Sequence, residues 1–352
     1  MVAASVNTVR SLALLVQSWL RKPWIRVPLG IAFGLGAGYW AVRDLAWTSL
    51  GDQLKNLSAP YALGSLGIVT LSVVVRVYRW RLLFVGQKVP LLRLFLVQNT
   101  GIGLNSVVPG LFLGEAVQFV LLTLRCQVKK EVAVTTLGFQ RLLDFVISVS
   151  LLAVGLMLLP RLQGFAPYVI VAGVVAVASI LAVPAVIWLG ARPGLVRASW
   201  LVSTANSVLA LVRAKINVTV AFLLTLAYWL LVGLAAWVLA YGMGIQISLV
   251  VATLVIIATL TFATMIPALP GAVGTFELAL YFLLRPFEVP QSTALGFAVV
   301  IHTMLFLPPI LIGLLALSGW VLGPRSDDAV PAGGGLPVEQ SPSSPVQGEK
   351  FS

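Results

Sequence analysis

The sequence predicts an all-α polytopic membrane protein with about six full spans plus two re-entrant helical hairpins arranged as an inverted repeat. Three observations carry that expectation. Of 352 residues, 59% are hydrophobic and only 10% charged, where a soluble domain carries about 25% charged residues. Apolar runs longer than about 18 residues recur along the chain. Two more apolar stretches are broken in the middle by a Pro-Gly step and carry a single glutamate soon after it.

The elements follow in order. Residues 1–26 read as a basic interfacial helix, with Leu12, Leu15, Val16, Trp19 and Leu20 on one side and Arg21, Lys22, Trp24 and Arg26 at the membrane surface. Residues 27–322 make the transmembrane domain. Its first span, 27–42, is rich in glycine, which lets helices pack closely in lipid. The second, 61–78, ends among Arg76, Arg79, Arg81, Lys88 and Arg93, a cluster that belongs in the cytoplasm together with the basic N-terminus. Arg76, Arg79 and Arg81 are expected to snorkel to the headgroup interface.

Residues 94–124 have basic clusters on both sides: Arg93 before, and Arg125, Lys129 and Lys130 after. Both flanks favour the cytoplasm, and about thirty residues fall short of the roughly 40 that two full helices need. The middle, 101–110, is built of helix breakers that include Pro109 and Gly110, so the segment is expected to dip into the membrane and return. Spans at 132–159, 165–189 and 217–241 follow. Between the last two, Arg192, Arg197, Arg213 and Lys215 mark a cytoplasmic connection. A second hairpin covers 249–284, although 249–266 alone approaches the length of a span. The last span is 292–322. The tail, 323–352, is rich in Pro, Gly and Ser and is expected to be disordered. The expected location is the plasma (inner) membrane, with the N-terminus cytoplasmic and the C-terminus on the same side.

The two hairpins share a pattern. The first reads Pro109-Gly110, then Gly114-Glu115; the second reads Pro270-Gly271, then Gly274 and Glu277. Inverted repeats with helices broken near the bilayer midplane are a recurring architecture of transporters. The start of each half-helix offers free N–H groups to an anionic group. An acidic residue at the bilayer centre costs roughly 2.5–3.5 kcal/mol and marks a functional site by default. Capping of the half-helix is the structural alternative. The expected substrate cavity lies between the hairpins, lined by Glu115, Glu277, Arg141, Asp144, His302, Asn105 and Gln118. Arg141 and Asp144 share a helix face and are expected to pair with each other or with the hairpin glutamates. His302 is either a proton relay or a packed polar residue.

Other classes are disfavoured. The net charge of +12, from 23 Lys+Arg against 11 Asp+Glu, sits mostly in short connections and reads as a topology signal rather than a nucleic-acid surface. One cysteine, Cys126, and one histidine make neither a disulfide framework nor a Cys/His metal site. No metal and no cofactor is expected.

Several motifs then occur in one order: Tyr78-Arg-Trp-Arg-Leu-Leu83; Gly103-Leu-Asn-Ser-Val-Val-Pro-Gly110 with Gly114-Glu115; Gln140-Arg-Leu-Leu-Asp144; and Pro270-Gly-Ala-Val-Gly274 with Glu277. Together they resemble the flippase-like membrane domain of lysylphosphatidylglycerol synthases, over about residues 63–317. Gln140 and His302 stand where relatives often have Glu and Arg, and Leu111, Gln118 and Phe276 stand near places that are often basic. The resemblance implies a stand-alone lipid translocase rather than an enzyme, without the aminoacyl-transferase domain of the fused members. Membrane lipids are the implied substrate, and a lipid-synthesising enzyme in trans is a further candidate partner. The alternatives are a secondary transporter of protons or small solutes, a transferase acting on a lipid headgroup, and a non-transporting partner of such an enzyme.

Overall fold

Apolar runs punctuated by Pro, Gly and basic residues become helices joined by short connections. The computed structural model describes residues 57–107, 113–191, 199–265 and 270–322. The expected interfacial helix at 1–26, the span at 27–42, the tail at 323–352 and the Pro109-Gly110 break lie outside the described residues. Among the described residues the structure is helical, with no strand.

Helix α1 is Ala59–Leu82, with Pro60 in its first turn, where a missing N–H costs nothing. The first hairpin consists of α2 (Leu91–Val107) and α3 (Leu113–Leu124), and α4 (Lys130–Leu158) follows. A 3-10 turn, Pro160–Phe165, leads into α5 (Ala166–Gly190), and then come α6 (Ser199–Arg213) and α7 (Lys215–Gly242). The second hairpin consists of α8 (Leu249–Met265), a 3-10 turn at Pro270–Ala272, and α9 (Thr275–Leu284). A further 3-10 turn, Arg285–Phe287, precedes α10 (Gln291–Leu322).

Among the described residues, five helical segments are long and apolar enough to cross a membrane: α1, α4, Pro160–Gly190, α7 and Gln291–Ala316. They coincide with the spans expected at 61–78, 132–159, 165–189, 217–241 and 292–322, and they make this a multi-pass membrane protein. Helix α8 has 17 residues, or about 25 Å at 1.5 Å per residue, short of the ~30 Å hydrocarbon core. By length it falls short of a full span, and α3 and α9 are shorter still.

Packing fixes how these helices run. Along their whole length α1 and α7 lie antiparallel: Gly242 meets Tyr61, Gly64 faces Val238, and the Ser65 hydroxyl donates to the Ala235 carbonyl at 2.9 Å. At the other end the Asn217 amide donates to the Leu82 carbonyl at 3.0 Å. Helix α2 packs on α10, where a Cβ added to Gly103 would stand 2.9 Å from the Pro309 carbonyl oxygen. Helix α8 packs on α4 in the corresponding way, with Gly155 seated against Leu254. Without a hydrophobic drive between helices in lipid, such small-residue contacts supply the packing energy.

The larger core gathers around Val255, Ile257, Phe276, Leu280, Phe297 and Ile301, and a second around Val77, Trp80, Leu94, Leu122 and Leu143. Helix α5 does the opposite. It exposes Ile170, Val171, Val174, Val177 and Leu181, an apolar face that suits acyl chains rather than water.

Candidate functional site

Each hairpin places its glutamate in the first turn of the short second helix. The surroundings then differ.

In the first hairpin the Gly114 N–H, left without an intrahelical acceptor, donates to Asn105 Oδ1 at 2.6 Å. The Asn105 amide nitrogen donates to Glu115 Oε2 at 3.2 Å. Arg141, from α4, donates to the other oxygen, Glu115 Oε1. Asn105 therefore caps α3 from the opposite leg, which leaves the Glu115 carboxylate free for Arg141. The Arg141 side chain stays 52% exposed.

Three residues further along α4, Asp144 turns toward α1 and α7. The Arg79 guanidinium grips it with a fork: Nη1 to Oδ1, and Nη2 to Oδ2 at 3.1 Å. Arg79 Nη1 also donates to the Thr225 hydroxyl at 3.1 Å. Arg76 Nη2 approaches Asp144 Oδ2 at 3.6 Å, and its guanidinium lies 5.3 Å from the centre of the Tyr228 ring.

These contacts correct two expectations. Arg79 does not snorkel: it is 0% exposed, because the antiparallel α1–α7 pair and α4 enclose a carboxylate and a hydroxyl that replace its hydration. Arg76 is held by the same carboxylate, while Arg81 is exposed in the last turn of α1. Arg141 and Asp144 do not bond each other; Arg141 has one of the partners expected for it, a hairpin glutamate, and only the partner of Asp144 differs. Arg141 takes the hairpin glutamate and Asp144 takes α1. The sequence held a signal for this, since Arg76 and Arg79 lie three apart on one helix face and Asp144 is an acid deep inside a span. Thr225 and Tyr228 carried no such mark.

Gln118 is also placed differently from the expectation. It is buried between the legs of its own hairpin, packed on Gly101 and donating to the Gln98 carbonyl at 3.2 Å. It pins α3 to α2 and does not line the space between hairpins.

In the second hairpin a tight turn carries the chain into α9. Gly271, Ala272 and Gly274 have φ of 69°, 58° and 84°, a left-handed run that glycine adopts readily. Glu277 Oε2 accepts the Gly274 N–H at 2.7 Å, so this glutamate does cap its own helix. Its other oxygen, Oε1, lies 2.6 Å from His302 Nδ1 on α10. His302 Nε2 in turn lies 2.9 Å from the Gly271 carbonyl. One imidazole thus bridges the tip of the hairpin and the glutamate at the start of α9.

The hairpins meet at their tips. A Cβ on Gly271 would stand 3.1 Å from the Ser106 carbonyl oxygen, and Ser106 follows Asn105. The glutamate clusters therefore flank a shared contact. Where the tips are described they touch, rather than opening on the space expected between them. Cys126, in the connection after α3, is partly buried, and burial pushes its thiol pKa up, with Arg93 opposing. Among the described residues, no three His, Cys, Asp or Glu side chains gather as metal ligands would.

The family model for the lysylphosphatidylglycerol synthase transmembrane region matches residues 27–313. No curated protein matches the chain. The matched stretch takes in both hairpins, Arg76, Arg79 and Arg141, and the His302 bridge, and on that extent the chain belongs to the family of the lysylphosphatidylglycerol synthase transmembrane region.

Proposed function

We propose that this protein moves polar or anionic lipids between membrane leaflets, as a carrier rather than as a catalyst. The observation that carries the reading is the charge imbalance beside the first hairpin. Three guanidinium groups, Arg76, Arg79 and Arg141, share two carboxylates, Asp144 and Glu115. Among the described residues one positive charge is left over in this cluster, and an intramembrane charge of that kind is costly and marks a ligand site. A phosphate oxygen is the complementary partner for a guanidinium fork. Arg141 is the most accessible of the three and spends one arm on Glu115.

The architecture supports the same reading. In our proposal α1–α4 and α7–α10 are the two halves of an inverted repeat, each built as span, broken hairpin, span. Three contacts argue for it. The first members, α1 and α7, run antiparallel; α2 packs on α10; and α8 packs on α4. The hairpins would then enter from opposite faces and meet near the midplane, as in other transporters with broken helices. The proposed setting is the plasma membrane, with both termini cytoplasmic, and the proposed substrates are its lipids.

Reconstitution tests this. Vesicles of phosphatidylcholine would carry traces of headgroup-labelled phosphatidylglycerol, phosphatidylcholine or an isoprenoid phosphate, with label in the outer leaflet quenched over time. We expect faster loss of inner-leaflet label for the phosphate-exposing anionic lipids. Arg141→Gln should slow it about tenfold, the scale of a lost charged hydrogen bond, while Arg81→Gln should not. Unaccelerated movement of every lipid would overturn the reading, and proton or solute flux in the same vesicles would replace it with a secondary transporter.

A further inference from the structure

We propose that His302 and Glu277 form a proton-carrying site, and that its proton latches the tip of the second hairpin to α10. The inference rests on the translocation reading only for its consequence, a response of lipid movement to pH.

The proton follows from the partners of each atom. The Gly271 carbonyl can only accept, so Nε2, 2.9 Å away, carries a hydrogen. In a neutral ring Nδ1 is then a bare lone pair. It faces Glu277 Oε1 at 2.6 Å, and an ionised carboxylate offers only lone pairs as well. Two acceptors repel at that separation. A second proton must lie between them, whether on Nδ1 as imidazolium facing carboxylate or on Oε1 as carboxylic acid facing imidazole. The other carboxylate oxygen is engaged by the Gly274 N–H.

With that proton the pair is neutral overall, and without it the pair carries one negative charge. The surroundings favour the neutral form. The His302 and Glu277 side chains are 9% and 14% exposed, and the imidazole lies 4.4 Å and 4.7 Å, centre to centre, from the rings of Phe276 and Phe306.

Among the described residues no neighbouring charge competes for the role. Helix α8 and the Pro270–Ala272 turn carry no titratable side chain, and α2 has only Arg93, in its first turn. On α9 only Tyr281 joins Glu277, with Arg285 and Glu288 beyond its far end, and α10 has only His302. Helix α7 contributes Lys215 at its start, Tyr228 and Tyr241. Helix α1 contributes Tyr61, Arg76, Tyr78, Arg79 and Arg81, with Arg76 and Arg79 occupied by Asp144. Among the described residues, the charge at the latch is therefore set by its own proton.

The device then works as a two-state element. A proton from water on one side adds to the Nδ1 lone pair, and the only bond made or broken is to that hydrogen. The bridged ring holds Glu277 and Gly271 together, and Gly271 rests on Ser106 of the first hairpin. Loss of the same proton leaves two facing acceptors, opens the bridge and frees the tip. Arg141, which does the corresponding job in the first hairpin, cannot lose its proton in this way.

The chain contains one histidine, so labelling histidine with nitrogen-15 reports this ring alone. The full chain in phosphatidylcholine–phosphatidylglycerol vesicles should show Nε2 protonated throughout, with Nδ1 bonded to or sharing a hydrogen at low pH and bare at high pH. Glu277→Gln should change that pH response of Nδ1, because the carboxylate facing it is gone. The opposite tautomer, or a midpoint that Glu277→Gln leaves in place, overturns the site.

In a second arm, movement of labelled phosphatidylglycerol under an imposed pH step should change severalfold in the unmodified protein. His302→Arg, a permanent cation, should move label without that response. His302→Gln serves as the second variant if the arginine does not fold. A response that survives both substitutions overturns the latch. If no label moves in any vesicle, the translocation reading fails, and the nitrogen signals still decide the proton site.

Discussion

In the first hairpin Glu115 is held by Arg141, 26 residues further on; in the second Glu277 is held by His302, 25 residues further on. The glutamates occupy the same turn of equivalent helices, and the cations project from the helix that follows. The first pair sits beside a buried network of Arg79, Arg76 and Asp144. Three residues past His302, where Asp144 stands past Arg141, is Leu305. One scaffold thus carries a fixed, cation-rich cluster on one side and a single exchangeable proton on the other. Division of labour follows from the side chains: a guanidinium keeps its charge and suits a phosphate, while an imidazole changes charge near neutral pH.

The largest effect that can test this division is on stability. Asp144→Asn removes the negative charge that Arg79 grips with both amino groups, leaving a fully buried cation with an amide oxygen and a hydroxyl but without that counter-charge. Breaking a buried pair from one side costs about 3–5 kcal/mol. The thermal midpoint of the purified protein in detergent should fall clearly. His302→Gln, at the less charged end, should lower it much less. Equal losses would mean that the two ends are alike in their energetics and would break the comparison.

Exchanging the cations comes next. Arg141→His should give the first hairpin the pH dependence that the second has. At low pH an imidazolium still pairs with Glu115; as pH rises the ring becomes neutral and the contact is lost. Translocation of labelled phosphatidylglycerol by this variant should therefore decline with rising pH, by about tenfold for a lost charged hydrogen bond. A flat profile would mean that Glu115 does not depend on its cation.

Much of this was legible before any coordinates. Long apolar runs mark the five span-length helices among the described residues, since length and composition decide what can cross a bilayer. The Pro-Gly breaks located both hairpins, and the scarcity of intramembrane charges singled out Glu115, Glu277, Arg141, Asp144 and His302. Partnership was harder to read. Arg141 and Asp144 are near in sequence, yet their partners come from α3 and α1, because a helix turns neighbouring side chains toward different elements. Arg79 looked like an interface residue because it ends an apolar run beside other cations. Only the antiparallel packing of α1 on α7 shows that it points inward to Asp144 and Thr225. Gln118 was drawn toward the substrate space by its polarity, but Gly101 leaves room for it to turn back onto its own hairpin.

Smaller differences separate the ways the two short helices are capped. Asn105→Ala deletes the acceptor of the Gly114 N–H and a donor to Glu115. A lost N-terminal cap costs about 1 kcal/mol. Glu277→Gln keeps an oxygen for the Gly274 N–H and so keeps the cap, while removing the negative charge beside His302. Comparing the two by thermal unfolding at low and high pH should show a pH-independent loss for Asn105→Ala. Glu277→Gln should show a smaller loss that changes with pH. The reverse pattern would place the proton-sensitive element in the first hairpin.

The smallest effect concerns the turn beneath the latch. Ala272 sits at φ 58°, where an L-residue other than glycine is strained by roughly 1–2 kcal/mol. Ala272→Gly relieves that strain but gives the unfolded chain more freedom, worth about 0.5–1 kcal/mol in the other direction. The net should lie between no change and a stabilisation of about 1.5 kcal/mol. Gly271→Ala should go the other way, since it adds the same left-handed strain and sets a Cβ 3.1 Å from the Ser106 carbonyl oxygen. The useful readout is the pH response of translocation in the two variants. If the proton between His302 and Glu277 holds the tip, easing the turn with Ala272→Gly leaves the response where it was. If the response instead shifts with the strain in the turn, the backbone holds the tip and the imidazole only reports on it.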